Sequence, residues 1–313
     1  MRILFTVLFM TAIGLSAEQG PPRTEVFLAP LSNAGGQVTV GPAVNISNSP
    51  GYDNQPFFTP DGTAILFTSD RTRMVSAPVE GVAPPPPQTD IYRYELVSKR
   101  VTQVTDTVQS EYSPTVTPDG KGISVIRVES DGTQRLWRFT MDGRDPSLVL
   151  AEVKPVGYHA WIDEHTLALF ILGERPKPAT LQLADTRTGK ARVVAEDIGQ
   201  SVQRIPSGGI SFVQRERPAA EPSAPPAFTV KRLHDGKVET LVKAVPGAAA
   251  PHLAWTPDGL LLMAHNGKLY GWRAGEGDWR SVADLNAVGL INVTRLAVSP
   301  KGNWLAIVAE SKQ

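Results

Sequence analysis

The chain has 313 residues, and its 31 Lys and Arg balance 31 Asp and Glu, so the formal net charge is zero. That balance excludes a broad electrostatic field drawing the protein to nucleic acid or anionic lipid. There is no cysteine, which excludes disulfides, a thiol nucleophile and a lipid-attachment thiol, while 27 Pro and 27 Gly suit short strands joined by turns.

The first 17 residues read as a secretory signal peptide. Arg2 supplies the positive start, Ile3 to Leu15 the apolar run, and Gly14, Ser16 and Ala17 the small residues near a cleavage point. The run is shorter than the ~20 residues a spanning helix needs, although a retained anchor is the competing reading. Residues 18–24 form a short linker, and residues 25–313 are expected to be one domain.

A first hairpin follows. Glu25 to Leu31 and Val38 to Ile46 flank a turn at Asn33 to Gly36. Next comes NQPFFTPDGTAILFTSDR, from Asn54 to Arg71, in which two apolar runs meet at Thr59-Pro60-Asp61-Gly62. Pro fixes one backbone angle, Asp bonds back to its own turn, and Gly accepts the left-handed angle that closes it. The unit returns at Thr117-Pro118-Asp119-Gly120, Thr256-Pro257-Asp258-Gly259 and Ser299-Pro300-Lys301-Gly302, each ahead of an apolar strand. Degenerate copies occupy Trp161 to His165 and Ile205 to Gly209. Marking each turn at its Pro or the matching position gives 60, 118, 163, 206, 257 and 300. A strand-built repeat of roughly 40 to 50 residues is the mark of a β-propeller, with one blade per repeat.

Behind five of the turn hairpins lies a second hairpin, for example Asp90 to Tyr94 with Val101 to Thr105, or Lys268 to Trp272 with Trp279 to Val282. The sixth turn has none after it, and the N-terminal hairpin has the right length and pattern to supply it. The fold class is therefore all-β: a six-bladed propeller whose ring is closed by the N-terminal hairpin completing the last blade. Two proline-rich insertions, Met74 to Thr89 and Pro218 to Pro226, interrupt the spacing as stiff solvated loops.

TPDGTAILFTSDR followed by TDIYRYEL resembles the repeat of the TolB-type six-bladed propellers of bacterial envelopes. The resemblance spans about residues 25 to 313, without the α/β domain that precedes the propeller in TolB itself. It implies a periplasmic or secreted protein that binds an envelope protein or peptide partner.

For chemistry, no G-x-S-x-G elbow, H-E-x-x-H, P-loop or dinucleotide fingerprint occurs. What remains is a polar row five positions before each marker: Gln55, Ser113, Tyr158, Ser201, His252 and Arg295. Asp53 and Glu111 stand seven before, and Tyr112 and His159 lie beside these rows. The row two before the marker, from Phe58 to Val298, is mostly apolar packing between blades. The candidate binding ring at the channel mouth is thus Asp53, Gln55, Glu111, Tyr112, Tyr158, His159, Ser201, His252 and Arg295. The expectation is a monomeric, non-catalytic binding or scaffold module with no cofactor, no metal, no nucleic-acid partner and no membrane span after signal cleavage. The alternative is a metal-assisted hydrolase or lactonase, which requires Asp53, Glu111, His159 and His252 to converge on one ion.

Overall fold

The computed structural model describes residues 23–34, 37–71, 88–216 and 227–311. The leader lies outside these residues, as does most of the two proline-rich insertions.

Three strands open the described chain: β1 (Glu25–Ala34), β2 (Gln37–Val40) and the short β3 (Val44–Asn45). Blade one is β4 (Asp53–Phe58), β5 (Ala64–Ser69), β6 (Asp90–Glu95) and β7 (Val101–Gln103). Blade two is β8 (Ser110–Val116), β9 (Gly122–Val128), β10 (Gln134–Thr140) and β11 (Ser147–Leu148). Blade three is β12 (Val156–Trp161), β13 (Thr166–Ile171), β14 (Thr180–Asp185) and β15 (Lys190–Glu196). Blade four is β16 (Ile198–Arg204), β17 (Ile210–Glu216), β18 (Ala227–His234) and β19 (Lys237–Lys243). Blade five is β20 (Leu253–Trp255), β21 (Leu261–His265), β22 (Lys268–Trp272) and β23 (Arg280–Asp284). Blade six is β24 (Leu290–Val298) and β25 (Trp304–Ser311), completed by β1 and β2.

Every blade is antiparallel, and the innermost strands β4, β8, β12, β16, β20 and β24 neighbour one another in that cyclic order. The fold is a six-bladed β-propeller. Its ring closes in blade six, where β1 pairs with β25 in the register Val26↔Val308, Phe27↔Ile307 and Ala29↔Leu305. Closure covers strand edges that would otherwise template aggregation.

The second strand of each blade is sandwiched between neighbouring blades, so it is apolar on both faces. All of β5 is buried, and Leu167, Ala168 and Leu169 of β13 are fully so. The core is therefore a set of clusters between blades rather than one central mass. One of them joins Val26, Leu28, Ala306 and Val308 of blade six to Ile65, Phe67 and Tyr92 of blade one.

The marker turns bond as their composition demands, with one addition. Gly62 and Gly120 sit at φ 70° and 69°, a region open to glycine. The preceding Thr is a hub. Thr117 Oγ1 donates to Asp119 Oδ1 at 2.6 Å and accepts from the Gly122 N–H at 3.1 Å. Thr59 makes the same contacts to Asp61 and Ala64. In the fourth copy, where Lys301 replaces Asp, Ser299 Oγ turns instead to Asn303 Oδ1 at 2.9 Å.

A candidate binding site in the central cavity

Along the axis the inner strands enclose a cavity of about 530 Å³, bounded at one end by the marker-turn prolines Pro60, Pro118, Pro206 and Pro300. Strict alternation would put the rows five and two before the marker on opposite faces, yet both line it. In blades one and two a bulge spanning Gln55-Pro56 and Ser113-Pro114 resolves this, whereas in blades three and six the slip lies before Tyr158 and Arg295. The register slips between Asn54 and Phe57, Tyr112 and Thr115, Val156 and Tyr158, Ile198 and Val202, and Ile291 and Arg295. A bulge inserts an unpaired residue and re-aims the side chains beyond it. In β4 and β8 it carries Pro56 and Pro114, residues that cannot donate to a ladder and so favour bulges. Gln55 and Ser113, just before them, are held at φ 57° and 54°. Left-handed backbone in non-glycine residues costs of order 1–3 kcal/mol and persists only where the surroundings enforce it.

Five of the nine candidates line the cavity: Gln55, Tyr158, His159, His252 and Arg295. Arg295 Nη2 donates to the Tyr158 hydroxyl at 2.6 Å, with its guanidinium carbon 4.7 Å from that ring's centroid. Since β24 and β12 are three steps apart in either direction round the ring, this contact crosses the axis. Nη1 lies 3.4 Å from His252 Nδ1. An arginine only donates, so Nδ1 accepts and the imidazole hydrogen sits on Nε2. Burial, then the Arg295 charge, holds the His252 pKa well below its ordinary value and the ring neutral.

Gln55 ties blades together, its Oε1 accepting from Thr68 Oγ1 and the Ser113 N–H, both at 2.9 Å. His159 is buried, with Nε2 2.7 Å from Ser124 Oγ, which also accepts from Trp161 Nε1 at 2.9 Å. Its Nδ1 has no partner among the described residues. Trp255 repeats the tryptophan contact in blade five, donating to Ser211 Oγ at 2.8 Å.

Asp53, Glu111, Tyr112 and Ser201 do not line the cavity. Ser201 Oγ accepts from the Leu253 N–H at 3.0 Å, joining blades four and five. Tyr112 stacks edge-on with Tyr52 at 6.4 Å. Asp53 pairs with Arg71 at 3.2 Å, and Arg71 covers the Tyr92 ring. Burial outweighs these contacts and pushes the Asp53 pKa up to about 6. Glu111 pairs with Arg127 at 3.0 Å, and Arg127 lies over Trp137 and Phe139. Asp197 and Arg215 repeat the arrangement over Phe228. In each case an acid at the start of an inner strand is matched by an arginine at or just beyond the end of the second strand. This device was missed in the sequence because the partners lie 16 or 18 residues apart.

The convergence required for a metal-assisted hydrolase is not made. Asp53, Glu111, His159 and His252 each have a separate partner, and no group of three or more His, Asp or Glu among the described residues is placed to hold a metal ion.

No protein-family model and no curated protein matches the chain. Solved structures do. A putative TolB from Agrobacterium tumefaciens superposes with a TM-score of 0.63 at 16% identity, over 93% of this chain and 100% of that one. TolB from Acinetobacter baumannii gives 0.54 at 12%, over 92% of this chain and 65% of that one. An oligogalacturonate lyase in complex with manganese gives 0.55 at 13%, over 87% and 80%. At such identities the likeness is one of fold, which unrelated activities share. Among the described residues no helix is long and apolar enough to cross a membrane.

Proposed function

We propose that this protein is an exported, non-catalytic binding module of the bacterial cell envelope, engaging a protein or peptide partner through its central cavity. The observation that carries the reading is the axial cavity itself, within the usual size range of ligand sites, with a cross-axis arginine and tyrosine and, among the described residues, no converging acid–histidine set. The likeness to two TolB structures supports the envelope assignment, and the apolar run of the first 17 residues supports export.

Affinity capture from cell-envelope extracts tests it. Thr115 lines the cavity with no hydrogen bond from its side chain, so Thr115→Trp fills the space without breaking a network. Partners captured by the natural protein should be lost from this variant. A variant that captures the same partners moves the site to the outer surface, where the proline-rich insertions are the next candidates.

A further inference from the structure

The cavity's chemistry is one-sided. It is lined by two arginines, Arg204 and Arg295, and two histidines, and no Asp or Glu among the described residues reaches it. Neither arginine forms an ion pair among those residues, although 12 of the ion pairs formed there use another arginine or a lysine. Arg295 is only partly exposed, and its two contacts are to neutral groups. A guanidinium withdrawn from water without an anion is costly.

The groups around it are donors. Tyr158 accepts from Arg295 through its oxygen and keeps its own hydrogen to give, and His252 presents Nε2–H. Ser113 Oγ, also on the cavity wall, is buried with no partner among the described residues. Nearer the marker turns the wall is mostly apolar, formed by Phe57, Val116, Trp161, Trp255 and Val298, with the exposed Arg204 as the charged member of the same row. The nitrogens of both indoles are already occupied by Ser124 and Ser211.

We infer that the cavity captures the free C-terminal carboxylate of an extended apolar peptide segment, with Arg295 as the anion anchor. The inference rests on the cavity being the binding site and names what that site takes. A chain terminus carries one charge at its end and apolar side chains behind it, which matches the partly buried Arg295 and the mostly apolar row beyond it, where the exposed Arg204 is the exception. An acidic sugar oligomer carries a carboxylate and hydroxyls on every ring, and most of them would face carbon.

The test uses the full chain and two pools of tetrapeptides with random apolar residues, one ending in free carboxylates and the other in C-terminal amides, read by native mass spectrometry. The free-acid pool should bind one to one with a preference of about tenfold or more, the scale of a charge-assisted arginine–carboxylate bond. Arg295→Gln should erase the preference and Arg295→Lys should keep part of it. Equal binding of both pools, binding of neither, or stronger binding of trigalacturonate overturns the inference. The comparison of pools is made on the natural protein, so it stands even where a variant fails to fold. Loss of capture in Thr115→Trp without a carboxylate preference would leave the cavity reading in place and remove this one.

Discussion

At the residue scale, buried titratable groups make opposite contributions to pH stability. Burial pushes His159 down to about 3, below its ordinary 6.5. The folded state therefore holds fewer protons than the unfolded state between those values. Stability from the neutral ring is complete above pH 6.5 and is lost as pH falls toward 3. Asp53 is shifted up, from 3.8 to about 6, so its contribution is present at low pH and lost as pH rises through 6. His159→Gln should flatten the acid side of the stability curve, by roughly 2 kcal/mol between pH 6.5 and 5. His252 moves in the same direction, so the flattening is partial. Melting temperatures from pH 7.5 to 4.5 check this, and an unchanged acid limb would contradict the buried neutral state. Position in the repeat was enough to single out His159 and Asp53 as polar residues on inner strands. It did not disclose their partners, because Ser124 stands on a strand of another blade and Arg71 just beyond the end of β5.

At the scale of the element, the marker turn explains why the repeat is legible at all. Four residues carry its backbone angles and its side-chain bonds, so selection for the turn is written locally. The Thr hydroxyl is the centre of that network, bonding Asp and both backbone groups of the following strand's first residue. Thr117→Val keeps the shape and removes those bonds. It should cost about 1–3 kcal/mol, seen as a lower denaturant midpoint with an unchanged m-value. A loss below 0.5 kcal/mol would mean that Pro and Gly hold the turn unaided. The inner-strand bulges were less legible. Pro56 and Pro114 were their sequence signal, but blades three, four and six bulge without proline.

For the whole molecule, closure is the decisive contact. Without β1 and β2, blade six would keep two strands, and the β25 edge would be open. The apolar faces of Ala306 and Val308 would also lose Val26 and Leu28. A chain beginning at Ser47 should therefore be insoluble, or expanded and without a cooperative melt, by size-exclusion chromatography and calorimetry. A soluble monomer with the natural melting temperature would show that the ring needs no N-terminal strand.

The sequence by itself determined the blade count, the turn chemistry, the pairing of the chain's two ends and the polar character of the inner strands. These follow from local backbone preference and from a periodicity repeated often enough to be counted. The tertiary structure alone decided which polar groups meet. It turned Asp53 and Glu111 to arginines within their own blades, set Ser201 to joining two blades, and laid Arg295 across the axis against Tyr158 with no acid beside it. Spacing along the chain carries no record of distances across a ring.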